Sequence, residues 1–247
     1  MQLFSCVRPL ILRNNSEDYP YSVSGTCYLV DYYGRPYIIT ASHNYQKDAF
    51  DVSQLTAQYD VNKSEMIPVC RAFIGNPQGD EDSDKYDFTI LQVSAELIDK
   101  DKWKASGAIS LWQDDGYTLP SPKLNFAFRG YPTEGIEFGF PERNIQTTGV
   151  TADAFYEGKL ASEHIHTLTV NGDEDFPDFN GFSGAPVFQL VHIDERATVP
   201  SFAGMIIRGT KASRLMHLVS NRYIVPKLHE ITVRHKIAEL FVSDDPQ

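Results

Sequence analysis

Three polar side chains in this sequence sit among neighbours that suit nucleophilic chemistry. Ser183 lies in NGFSGAPVF, residues 180–188, between Gly181 and Gly184. Flanking glycines let the backbone bend sharply beside the serine and approach a substrate closely, and such a bend can aim N–H groups at a developing oxyanion. The strand-like run APVFQLV follows, which sets the segment apart from the strand-to-helix elbow of α/β-hydrolases. His43 ends IITASH, residues 38–43, where an apolar strand can hold the imidazole rigidly. Asp87 opens YDFTIL after a polar loop, and a carboxylate there can accept Nδ1–H of a histidine and fix its tautomer. Each segment also has a plain reading: a Gly-Ser turn, a strand-end histidine, an aspartate bonding local amides. Their combination is more telling, because a serine hydroxyl needs a base and the base needs an orienting acceptor. They occur in the order His, Asp, Ser, 44 and 96 residues apart.

The elements that must position them read as short β-runs broken by turn residues. Residues 26–30 (TCYLV) and 36–40 (PYIIT) flank DYYGR, a hairpin signal with Gly34 in the turn. Further strands are expected at 66–74, 88–93, 124–129, 145–151, 164–170, 186–191, 202–207 and 216–219. This spacing argues for an antiparallel barrel or sandwich and against β-α-β units. Residues 94–108 read as a join between two sheets. The spacing of Leu228, Ile231, Ile237, Leu240 and Phe241 predicts a C-terminal helix over 225–241, with Pro226 in its first turn.

The bulk composition excludes several classes. The chain has 247 residues, 42% hydrophobic and 22% charged, as soluble globular proteins do. A net charge of −11 disfavours nucleic acid and anionic membranes as partners. Three cysteines, Cys6, Cys27 and Cys70, do not describe a disulfide framework. With no signal-peptide pattern and no apolar run of membrane-spanning length, the expected compartment is the reducing cytoplasm. His164 and His166 alternate on a strand without Cys or carboxylate partners at metal-binding spacing, and the acidic run at 80–84 lacks an EF-hand pattern. No metal or other cofactor is expected.

With SGTCYLV, ITASH, YDFTIL, FRGYP, GFSGAPVF and FAGMIIRG in this order, the chain resembles a chymotrypsin/trypsin-like serine peptidase from about residue 24 to residue 209, in the style of compact bacterial intracellular members. The resemblance implies an all-β fold of two antiparallel six-stranded β-barrels and a C-terminal α-helix. Residues 1–105 would carry His43 and Asp87, residues 106–224 would carry Ser183, and 225–247 would form the helix and tail. It implies an endopeptidase in which Ser183 attacks the scissile carbonyl, His43 is the base and Asp87 its orienting carboxylate. The amides of Gly181 and Ser183 would form the oxyanion hole. Pro177, Asp178, Ile207, Arg208 and Gly209 would line the substrate pocket, and the partner would be a protein or peptide substrate.

Four departures qualify the resemblance. Asn44, not a cysteine, follows His43, and Ala185 replaces the usual second glycine after the serine. Pro177 stands six residues before Ser183, where a trypsin-like member has an aspartate, although Asp173, Glu174, Asp175 and Asp178 crowd the same loop. The sequence opens on MQLF, not on an Ile-Val-Gly-Gly-type start, so control by a sensor or regulatory partner is expected instead of propeptide cleavage. Bacterial antiviral defence is the setting that compact intracellular relatives suggest. The alternative expectation is a dormant binding module on a protease fold.

Overall fold

In the computed structural model the described residues are 3–14, 16–45, 51–75, 83–113, 124–139, 144–159, 164–171, 178–192 and 198–242. Two β-assemblies divide the chain. The first contains β1 (Val7–Arg13), β2 (Tyr21–Tyr32), β3 (Arg35–Thr40), β4 (Leu55–Thr56), β5 (Val69–Ile74), β6 (Thr89–Val93) and β7 (Ile109–Leu111). Its order is β4-β1-β2-β3-β6-β5, antiparallel throughout, and it forms a curled half-barrel. The strand β7 joins β2 in parallel, Val30 opposite Ile109. β7 therefore lies beyond the expected division at 105/106 yet belongs to the first sheet. Between β6 and β7 the chain forms a short helix, α1 (Lys100–Ala105), with the Asp99 carboxylate capping Lys102 N, in a stretch that reads from sequence as a plain connection.

The second assembly is a closed barrel. It runs β11 (Val150–Lys159), β12 (Ile165–Val170), β15 (Leu215–Ser220), β14 (Thr198–Thr210), β13 (Pro186–His192) and β8 (Asn125–Gly130), and β8 pairs back with β11. A separate hairpin, β9 (Ile136–Gly139) with β10 (Asn144–Thr147), splits the single strand expected over 145–151 at Thr148-Gly149. Six strands closing on themselves remove exposed edges, and their inward side chains fill the lumen: Phe126, Phe128, Leu168, Val187, Ile206 and Leu218 are all completely buried.

Local chemistry sets the connections. β2 and β3 meet across the two-residue turn Tyr33-Gly34, whose φ values of 51° and 76° match a right-twisted hairpin turn. The Asp31 carboxylate accepts Gly34 N at 2.8 Å. The terminal helix α2 (Asn221–Val242) begins four residues before the expected start at 225. Ser220 explains the difference: its Oγ accepts the Arg222 amide at 3.2 Å and satisfies a first-turn donor. Pro226 thus falls inside the helix, not in its first turn. Ile224, Val225 and Leu228 are buried, and the helix returns to the first sheet. There Tyr37 Oη and Thr232 Oγ1 bond at 2.9 Å, and Tyr32 Oη meets His229 Nδ1 at 3.1 Å. The side chains of Ile237, Leu240 and Phe241 lie outside the described residues.

Candidate active site

Strand β3 carries the chain into a short helical turn, Ser42–Asn44. The side chain of Ser42 is buried on Thr89 Oγ1 at 2.9 Å, which fixes the turn to the start of β6. His43 therefore projects outward, with a side chain 49% exposed. The strand expected over 88–93 begins at Thr89, and Asp87 sits in the turn after Ser83–Tyr86. Its carboxylate grips one residue twice. Oδ2 accepts His43 Nδ1 at 2.6 Å, and Oδ1 accepts the His43 backbone amide at 3.0 Å. This pair of contacts holds the ring and directs Nε2 away from the carboxylate.

Ser183 stands at the start of the segment leading into β13. Gly181 and Gly184 have φ of 95° and 91°, in the region side chains rarely adopt. A Cβ on Gly181 would overlap Tyr131 O, and one on Gly184 would overlap Thr26 O. The amides of this segment divide into two sets. Phe182 N donates to Phe179 O at 3.2 Å, Gly184 N to Ile206 O at 2.8 Å and Ala185 N to Phe182 O at 2.9 Å. The Gly181 and Ser183 amides have no hydrogen-bond partner among the described residues. Two donors left open beside a hydroxyl make a ready site for a developing negative oxygen.

Hydrogen bonds from the first sheet hold the serine segment. Thr26 N and Asn44 Nδ2 both donate to Ser183 O, at 3.0 and 2.7 Å. Thr26 Oγ1 donates to Gly181 O at 2.6 Å and accepts Tyr131 N at 2.9 Å. Asn44, which follows His43 where the resemblance would place a cysteine, is thus a link between the histidine turn and the serine segment. Sequence reading missed Thr26 and Asn44, and the sole hint was the departure at position 44.

Ser183 Oγ donates to Ile207 O at 3.2 Å, and its hydrogen bond does not go to His43. Of the expected pocket residues, Ile207, Arg208 and Gly209 all lie on β14. Arg208 reaches across to the turn Ser83–Tyr86 that precedes β6, where its guanidinium pairs with both carboxylate oxygens of Asp84, Nη1 donating to Oδ1 at 2.7 Å. His217, opposite Arg208 on β15, titrates below the ordinary histidine range because burial disfavours its charged form and Arg208 adds repulsion. Asp178 does not open onto this strand through its carboxylate. Its oxygens accept Phe179 N and Asn180 Nδ2, both at 2.7 Å, within its own turn. Pro177, Asp173, Glu174 and Asp175 lie outside the described residues. No group of three or more metal-ligating side chains occurs among the described residues. No helix among them is long and apolar enough to cross a membrane.

Compared with solved structures, the chain matches a thermostable serine protease, AL20, from an extremophilic microorganism over 87% of its own length and 91% of that chain. The TM-score is 0.52 at 11% identity. The fold is chymotrypsin-like. A structure from work on the coupled folding and binding of the Sesbania mosaic virus VPg protein covers 89% of each chain with a TM-score of 0.48 and 15% identity. No family model and no curated protein matches the sequence.

Proposed function

We propose that this chymotrypsin-like chain is a serine endopeptidase that cuts protein substrates with Ser183, His43 and Asp87. The observation that carries the reading is the double grip of Asp87 on His43, 2.6 Å to Nδ1 and 3.0 Å to the amide. A carboxylate bonded to a ring nitrogen leaves the other nitrogen basic and positions it as a proton acceptor. In this reading the Ser183 hydroxyl turns from Ile207 O toward His43 Nε2 when substrate binds. Oγ attacks the carbonyl carbon as His43 takes the proton. The carbonyl oxygen gains the negative charge and meets the Gly181 and Ser183 amides. His43 then gives its proton to the leaving amine, and water hydrolyses the acyl-serine by the same route in reverse order of roles. The pocket for the residue before the cut is formed by β14 at Ile207–Gly209, with the Arg208–Asp84 pair at its margin.

One observation favours a second reading, a module whose activity waits for a partner. The resting hydroxyl is bonded to Ile207 O and not to His43. A partner that displaces this contact would switch the site on. Labelling with a neutral sulfonyl fluoride separates the two. Under the first reading the isolated chain is tagged at Ser183 and Ser183→Ala and His43→Ala are not. Absence of a tag on the wild-type chain at any pH rejects unaided catalysis.

A further inference from the structure

A cavity of about 720 Å³ opens between the loops of the first sheet and the end of β8, a size that accommodates a small organic ligand. Six charged side chains line it: Arg8, Lys63, Lys102 and Arg129, against Asp60 and Glu65. In a chain of net charge −11 such a concentration of cations is unusual and invites an anion. Two of the cations are already accounted for. Arg8 is buried, and its guanidinium donates to the carbonyls of Ser5, Val7, Gln58, Tyr59 and Ser106, with Asp60 acting on it electrostatically. Lys102 pairs with Glu65 at 2.8 Å and Asp99 at 3.3 Å.

Arg129 and Lys63 are different. Among the described residues neither side chain has a hydrogen-bond or ion-pair partner. The Nε of Arg129 is itself buried and makes no hydrogen bond, which leaves the Nη groups as the part of this cavity-lining guanidinium that a ligand meets. Gly149 makes room for this guanidinium: a Cβ there would overlap Nε and lie 2.8 Å from Nη2. Two open cations match a dianion. A phosphomonoester carries about −1.5 to −2 at neutral pH, and its oxygens suit the planar fork of arginine. Leu3, Phe4, Val61 and Tyr59 add an apolar and aromatic part to a wall that also holds the polar Ser5, Asn62 and Ser106.

The cavity also touches the serine segment through one residue. The Tyr131 side chain lines the cavity and its hydroxyl donates to Val7 O at 3.3 Å. The backbone of the same residue donates to Thr26 Oγ1 at 2.9 Å, and its carbonyl stands where a Cβ on Gly181 would be. We propose that this cavity is a regulatory site for a small organic phosphomonoester. The phosphate sits on Arg129 and Lys63, the organic body lies against Phe4 and Val61, and occupancy fixes the backbone that shapes the Gly181 amide.

Phenyl phosphate is the probe, titrated calorimetrically into the whole chain and into Ser183→Ala, so that the result is independent of catalysis. One saturable site is expected in both. Affinity is expected to fall at least tenfold in Arg129→Met, in Gly149→Ala and in the surface variant Lys63→Ala, which should leave folding undisturbed because Lys63 is exposed. Benzoate, with one charge, is expected to bind at least tenfold more weakly. Failure to saturate, or wild-type affinity in both Lys63→Ala and Arg129→Met, overturns the site. Inorganic phosphate binding as tightly as phenyl phosphate overturns the role of the apolar wall. Saturating phenyl phosphate is expected to change the rate of Ser183 labelling at least threefold in the wild type and not in Lys63→Ala. Binding without any such change overturns the coupling and leaves the site standing.

Discussion

Asn44 offers the sharpest test of how the two assemblies are joined at the site. Its side chain is buried, with Nδ2 donating to Ser183 O at 2.7 Å and to Thr40 Oγ1 at 3.1 Å. A buried hydrogen bond contributes about 0.5–1.5 kcal/mol net, so Asn44→Ala should cost about 1–3 kcal/mol. At about 2–4 °C per kcal/mol for a chain of this size, that is a clear loss in melting temperature. Asn44→Asp is nearly isosteric yet should cost more. Thr40 Oγ1 already donates its proton to Thr26 O at 2.8 Å, so only lone pairs would face the new carboxylate oxygen. Ser183 O is likewise an acceptor. Leaving buried acceptors face to face adds about 1–3 kcal/mol beyond the alanine variant. Urea unfolding of wild type and both variants gives the free energies, and sulfonyl fluoride labelling reports the serine segment. Both variants should label more slowly, because Ser183 O keeps only the Thr26 amide. If Asn44→Asp is as stable as Asn44→Ala, or if Asn44→Ala costs less than about 0.5 kcal/mol, Asn44 does not hold the two assemblies as described.

Three further outcomes follow. Asp87→Asn should keep the fold but lower peptide turnover by roughly 10⁴-fold, since an amide in place of the carboxylate favours the wrong imidazole tautomer; circular dichroism and kcat check the two halves. His217 titrates below its unfolded value near 6.5, so the unfolded chain binds the extra proton. Its contribution to stability is present above about pH 6.5 and is lost as pH falls through the lowered value, and His217→Asn should flatten the stability profile in that window. Ellman titration of the native chain should find one reactive thiol, exposed Cys70, and three in denaturant, because Cys6 and Cys27 are completely buried; burial pushes the Cys6 thiol up to about 12.

The pieces legible in the sequence were those with local signatures. The β2–β3 hairpin announced itself through Gly34, and the strand runs around it alternate or stay apolar as buried strands do. The strand β1 was not foreseen because Arg8 and Pro9 interrupt its apolar pattern. Pro9 is tolerated because β4 reaches β1 only at Ile11 and Leu12, and Arg8 because five carbonyls receive its guanidinium. The links that bind the candidate site are long-range. Asn44 and Ser183 are 139 residues apart, Arg208 and Asp84 are 124, and no spacing rule connects such pairs. The start of α2 was legible in principle, since Ser220 is an N-cap residue type, but Pro226 is the louder signal and points four residues too late.

The most direct test of the central claim is cleavage of a protein-derived peptide library by the purified chain, with Ser183→Ala as the matched control. The account predicts cut peptides from the wild type, a serine acyl-enzyme trapped at Ser183, and at least a roughly 10³-fold loss of turnover in the variant. Equal cleavage by wild type and Ser183→Ala would contradict it.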